Sequence, residues 1–245
     1  MSLLKIASVA CIALTLGACQ SLFQPNWRTP LEATRDTTEQ TRPGCASADC
    51  ALVNIDTVHF AKEPKLDALI EQRLLEMTGA NPLPTSLETY REQFLKTAAP
   101  SNSMYLQAKV REQHDGLVII ELSSYLDQGA THGEPGRAFI NYSRQQQKAL
   151  SLTDMLLPGK EDAFWKAAQV AHNSWLISTR LSLEPEFVKT YPFQKTPNVA
   201  LTSSGVVLKY PTNTIAPYAL GHVELQIPYS RLEGIIKPEL VPAGR

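Results

Sequence analysis

The sequence predicts an α+β fold: an antiparallel sheet meander with packed helices, preceded by a disordered tether. Three observations carry that expectation. Apolar residues recur at two distinct periods, one helical and one alternating. Segments of each kind are grouped along the chain rather than strictly interleaved. The stretch that precedes them, rich in Pro and Thr, shows neither period. Of the 245 residues, 43% are hydrophobic, and the net charge is −1. That composition supports one large domain or two small ones with a real core. It lacks the basic excess of a polyanion binder, so no nucleic acid is expected as a partner.

The elements follow in chain order. Residues 1–18 read as a secretory leader. Lys5 is followed by an apolar run from Ile6 to Leu16, then by the small residues Gly17 and Ala18. The run is too short for a stable span, which needs about 20 apolar residues, and no second long apolar segment occurs. Leu16-Gly17-Ala18-Cys19 resembles the bacterial lipobox. That resemblance implies cleavage before Cys19 and an N-terminal lipid anchor on it, with several acyl chains making a lasting attachment. Gln20, rather than Asp, follows the cysteine. By the sorting rule of Gram-negative lipoproteins this resembles a protein of the outer membrane, on its periplasmic face.

Residues 19–45 are read as the flexible tether, with Pro25, Pro30 and Pro43 and a single large aromatic, Trp27. Trp27 has two places to go, the lipid interface or the body. With Cys11 in the leader and Cys19 lipidated, Cys45 and Cys50 remain, and in an oxidising compartment this close pair is expected to form a disulfide. A zinc site would need two more ligands, and a redox role would need C-x-x-C spacing, so neither is expected.

Order is expected from about residue 46, in an N-terminal part over 46–130 and a C-terminal part over 131–240. Ala51 to Phe60, rich in β-branched residues, predicts a strand. Leu66, Leu69, Ile70, Leu74 and Met77 lie on one helical face, closed by Gly79. Thr85-Ser86-Leu87-Glu88 is a capping-box pattern opening a second helix, stopped by Pro100. Met104, Leu106, Ala108 and Val110 then alternate with polar residues, as in a half-buried strand. His114-Asp115-Gly116 suits a hairpin turn, and Leu117 to Leu126 returns as a more apolar strand. A Gly-rich turn over Gly129–Gly136 leads to a third strand from Arg137 to Ser143.

Ser151 to Asp154 marks a helix start, with Asp154 as its cap, and a long helix is expected from about Glu161 to Leu181, carrying Phe164, Trp165, Ala168, Trp175 and Leu176 with its tryptophans in the core. Val199–Leu201 and Val206–Tyr210 form a hairpin around Thr202–Gly205, Val223–Ile227 is a last alternating strand, and Tyr229 to Ile236 is expected to close the fold as a short helix.

Two stretches resemble a known family. One is Tyr125-Leu126-Asp127-Gln128-Gly129-Ala130-Thr131-His132-Gly133, continued by Phe139–Tyr142 and Leu150–Leu156. The other is Val199–Leu208 with Ile215-Ala216-Pro217-Tyr218-Ala219-Leu220-Gly221 and Ile227–Leu232. Together they are similar to the RsiV-type extracytoplasmic domain, with its Ala-His-Gly turn, L-S-L-x-D helix start and I-A-P-Y-A-x-G loop. Thr131 stands where the family usually has Ala, and Asn213 where an aromatic is common. Members sense lysozyme in an anti-sigma factor or accompany peptidoglycan deacetylases. The resemblance therefore implies a non-enzymatic cell-envelope binding module, for a peptidoglycan component or a lysozyme-like protein, with no cofactor. Its motif residues are His132, Gly133, Pro217, Tyr218 and Gly221.

Two other classes compete. An envelope hydrolase or deacetylase-like enzyme would use Asp127, His132 and Glu134 near one turn, with His222 as a further candidate. Against it, the spacing defines no metal set, and no G-x-S-x-G or H-E-x-x-H motif occurs. A structural scaffold for another envelope protein is the third class.

Overall fold

The computed structural model describes residues 26–242. The leader, Cys19 and the first part of the tether lie outside the described residues. Strand β1, Thr34–Thr41, opens the fold, and the Cys45–Cys50 disulfide closes the turn to β2, Leu52–His59. Helices α1, Pro64–Met77, and α2, Leu87–Thr97, follow. Strands β3, Ser103–His114, β4, Leu117–Asp127, and β5, Glu134–Ser143, form the expected meander, and β6, Lys148–Ala149, is a short addition. Then come α3, Leu152–Met155, α4, Glu161–Ser178, and α5, Pro185–Thr190. A second sheet is built from β7, Val199–Thr202, β8, Gly205–Tyr210, and β9, Val223–Ile227.

The first sheet runs β1-β2-β3-β4-β5-β6 and the second β7-β8-β9. All pairs are antiparallel except β2 with β3. That exception follows from α1 and α2, which carry the chain back across the sheet so that β3 starts at the same end as β2. The Asp115-Gly116 turn has positive φ at both residues, 44° and 81°, as the two-residue hairpin requires.

The tether expected over residues 19–45 is shortened by β1, which pairs along its whole length with β2. The reason lies in the backbone. Thr34–Thr41 has no apolar period and is almost wholly exposed, but it satisfies the edge of β2. Trp27 docks on the body rather than pointing away: Arg144 lies 5.3 Å above its ring and donates from Nη1 to its carbonyl at 3.1 Å. Next to it the Gln113 side chain pairs with the Leu31 backbone, accepting at 2.8 Å and donating at 2.9 Å.

The division expected at residue 130 falls between β4 and β5, neighbours in one sheet, and so separates no two bodies. Two cores lie instead on opposite faces of the first sheet. Val53, Met104, Leu106, Ile120, Leu122 and Ile140 pack with α1 and α2. Leu117 and Ile119 pack with the second sheet and with Phe164, Trp165 and Ala168 of α4. The alternation of β4 sends successive side chains to these two cores. Ser86 caps α2 by accepting from Thr89 N, where the sequence pattern pointed to Thr85. Ser151 and Asp154 form the full capping box at α3. The closing helix expected over Tyr229–Ile236 is a single 3₁₀ turn, Tyr229–Arg231.

The second sheet is fixed to the first by side chains standing in for a missing strand. Buried Asn141 of β5 donates to Val199 O at 2.6 Å and accepts from Leu201 N at 2.7 Å. His114 Nε2 donates to Leu201 O at 2.8 Å, and Glu112 accepts from Ser203 N at 3.1 Å. The free edge of β7 is thereby satisfied without a neighbouring strand.

Candidate functional site

The first sheet turns one polar face toward the second sheet and, beyond it, toward solvent. Pairing sets the rows. Thr37, Asp56, Gln107, Ser123 and Arg137 lie across β1 to β5 in one row, and Glu39, Asn54, Tyr105, Tyr125 and Pro135 in the next. Residues directly opposite one another share a face, so these side chains stand together although they come from five strands. Asn54, Asp56, Tyr105, Gln107, Ser123, Tyr125 and Arg137 line a groove of about 250 Å³.

Asp56 is 8% exposed and fully engaged. Arg35 donates to it from Nε at 2.6 Å and from Nη2 at 2.8 Å, Gln107 at 2.7 Å and Thr37 at 3.0 Å. The Arg35 hydrogen bonds pull its carboxyl down to about 2, so it stays ionised and neutralised by Arg35.

Next to this pair is a charged knot between the sheets. Glu121, 2% exposed, contacts Lys209 Nζ, Arg111 Nη1 at 3.0 Å and Lys109 Nζ at 3.7 Å. Glu224 joins Lys209 at 2.9 Å and Arg111 at 3.1 Å. Burial pushes the Glu121 carboxyl up, but Lys209, Lys109 and Arg111 outweigh it and hold it below its ordinary value. Arg137, partly buried beside the knot, makes no ion pair among the described residues. Its Nη1 donates to Gly136 O at 2.7 Å and reaches Ser124 O at 3.5 Å. Desolvation lowers its pKa, against the field of Glu121. His222 is also held below its ordinary value, by burial first and then by the Arg137 charge.

The residues singled out in the sequence have distinct fates. Asp127 accepts from Gly129 N at 2.9 Å, which occupies it in the turn. Glu134 is exposed at the start of β5, opposite Leu126. His132 stacks on Tyr218, with ring centroids 4.6 Å apart and planes 19° from parallel. Gly133 lies under Tyr125, where a Cβ would come within 2.3 Å of the ring. Pro217 precedes the 3₁₀ turn Tyr218–Leu220, and Gly221 closes it at φ +67°. His222 Nδ1 faces Tyr210 O at 3.3 Å. Among the described residues no group of three or more His, Cys, Asp and Glu is placed to hold a metal ion. The Asp127, His132 and Glu134 set is therefore not assembled as a metal site. Tyr218 is half-buried and carries His132 on its face, joining the two distant stretches that the sequence singled out.

Sequence reasoning missed Arg137, Asp56, Tyr105 and the Glu121–Lys209 pair. One signal was present: Glu121 interrupts the apolar run Leu117-Val118-Ile119-Ile120-Glu121-Leu122, and a charge in such a strand needs a partner.

Comparison with known proteins gives the family and no activity. The family described as "Protein of unknown function (DUF3298)" matches residues 153–230. No curated protein matches the chain. A DUF3298 family protein from Pseudomonas aeruginosa PAO1, known from a crystal structure, is 58% identical. The match covers 90% of this chain and 100% of that one, with a TM-score of 0.88. A DUF3298 family member from Bacteroides fragilis shares the fold at 18% identity and a TM-score of 0.67, over 85% of this chain and 94% of that one. Identity this high over the whole of the Pseudomonas chain places the protein in a group: it belongs to the DUF3298 family.

Proposed function

We propose that this protein is a lipid-anchored, envelope-facing binding module of the RsiV type, without catalytic activity, that takes a peptidoglycan component or a lysozyme-like protein. The observation that carries the reading is the stacking of His132 on Tyr218. It brings the histidine-glycine turn and the I-A-P-Y-A-L-G loop, the two stretches similar to the RsiV-type domain, to one place beside a polar groove. A surface assembled from loops on a rigid sheet is the usual setting of a binding site. The former candidates for acid–base chemistry are otherwise employed, Asp127 in its turn and His132 in the stack.

The reading places Cys19 in the anchor. Cys19→Ala is expected to move the protein from the membrane fraction to the soluble fraction, and retention in the membrane would remove the anchor. Ligand binding is tested with residues 26–245. The crystallised Pseudomonas relative aligns in full with 90% of this chain, which supports the choice of a shortened chain for the test. Calorimetric titration with lysozyme and pull-down on purified peptidoglycan are expected to show saturable binding to one of the two, weakened by Tyr218→Ala. Silence toward both overturns the proposal and favours a scaffold.

A further inference from the structure

We infer that the groove over Arg137 is a carboxylate-binding subsite for an acidic sugar, with the guanidinium taking the carboxylate and the Tyr105–Tyr125 pair taking the ring face. The inference rests on the envelope-binding reading and names the ligand chemistry of the neighbouring groove.

Four features of the groove support it. Arg137 is held in place by two backbone carbonyls, while its Nε and Nη2 have no acceptor among the described residues and are not sealed from solvent. A preorganised guanidinium with open donors is suited to planar, two-point recognition of a carboxylate. No carboxylate nearby is free to fill that role. Asp56 is taken by Arg35, and Glu121 by Lys209, Arg111 and Lys109.

The charge balance has the same sign. In the knot beside the groove Lys109, Arg111 and Lys209 pair with Glu121 and Glu224, the Asp56–Arg35 pair cancels, and Glu39 accepts from Asn54 at the far rim. Asp56 and Arg137 are the charged residues of the groove lining, and with Asp56 neutralised by Arg35 the Arg137 charge is the one that no ion pair cancels among the described residues. The lining supplies the rest of the specificity. Tyr105 is 40% exposed, and its ring lies 6.3 Å from that of Tyr125, forming an apolar wall for a sugar face. Ser123 brings a hydroxyl, and Asn54 and Gln107 bring amide oxygens, since the Asn54 amide nitrogen donates to Glu39 and that of Gln107 to Asp56.

The test compares N-acetylmuramic acid, which carries a carboxylate, with N-acetylglucosamine, which does not. Both are titrated into residues 26–245 and followed by NMR and calorimetry, with inorganic phosphate as a competitor. The acidic sugar is expected to bind about tenfold or more tightly than the neutral one, and Arg137→Gln is expected to erase that difference. Tyr105→Ala, at an exposed position that leaves the fold intact, is expected to weaken both sugars.

Equal binding of the two sugars overturns the inference, as does an unchanged preference in Arg137→Gln. Displacement by phosphate at the same concentration as by acetate also overturns it, since the site would then read any anion. Retention on peptide-stripped glycan strands, whose muramic carboxylates are free, that survives Arg137→Gln removes this subsite and leaves the envelope-binding reading intact. Binding of N-acetylmuramic acid without retention on either intact peptidoglycan or the peptide-stripped strands supports the subsite and removes the wall-binding reading.

Discussion

Glu121 illustrates how one residue can hold two sheets in register. It is buried among three cations, and Lys209 is itself only 8% exposed. Removing one partner of a buried pair leaves the other charge without compensation, which costs about 3–5 kcal/mol. Glu121→Gln is therefore expected to lower unfolding stability in urea by that order, and Glu121→Gln with Lys209→Met should recover a large part of it. A double variant as weak as the single one would show that the pair does not act as a unit. Asn141 works by hydrogen bonding instead of charge. Asn141→Leu strips partners from Val199 O and Leu201 N inside the core, with an expected cost of about 2–4 kcal/mol by the same measurement. The sequence signalled Glu121 as a charge within an apolar run but not its partners, and it gave no sign of the Asn141 role, because Asn141 sits in an ordinary strand segment and its partners lie some 60 residues away. The Cys45–Cys50 pair was legible, since both residues and the short loop between them are local.

At the scale of elements, local pattern located most helices and strands and failed where stability comes from pairing alone. The apolar period marked α1, and alternation marked β3, because each buries one face. Strand β1 buries almost nothing and is held by the ladder to β2 and by Arg35 on Asp56. A chain starting at Gly44 is therefore expected to be less stable than one starting at residue 26, with a lower urea midpoint and more aggregation, since β2 would become an open edge. Equal midpoints would show β1 to be dispensable.

Helix α4 supplies one part of the pH dependence. His172 is 2% exposed against Trp175 and Phe193, its Nε2 has no partner, and burial holds its pKa below the ordinary value. Above about pH 6.5 both folded and unfolded states are neutral there. As pH falls, the unfolded chain takes a proton that the folded chain refuses, so stability declines until the lowered folded pKa is passed. The drop between about pH 7 and about pH 5 is expected to shrink in His172→Leu, measured by urea unfolding at each pH. His222 contributes with the same sign, so part of the slope should remain.

At the scale of the whole molecule, the described residues form two sheets with two cores, one on each face of the first sheet, and the candidate site lies where the second sheet leaves that face uncovered. The sequence by itself determined the α+β class, the hairpin at Asp115-Gly116, the disulfide and most element positions. Each of these depends on neighbours within a few residues, on backbone conformation or on a short repeat of apolar side chains. Only the tertiary structure decided that β1 joins the sheet, that β2 and β3 run parallel, that His132 meets Tyr218, and that Asp56, Arg137 and the tyrosines share one groove. Those outcomes depend on register across strands far apart in sequence. A single chain carries no local trace of register, because a strand's own alternation says which residues share a face but not which strand will lie beside it.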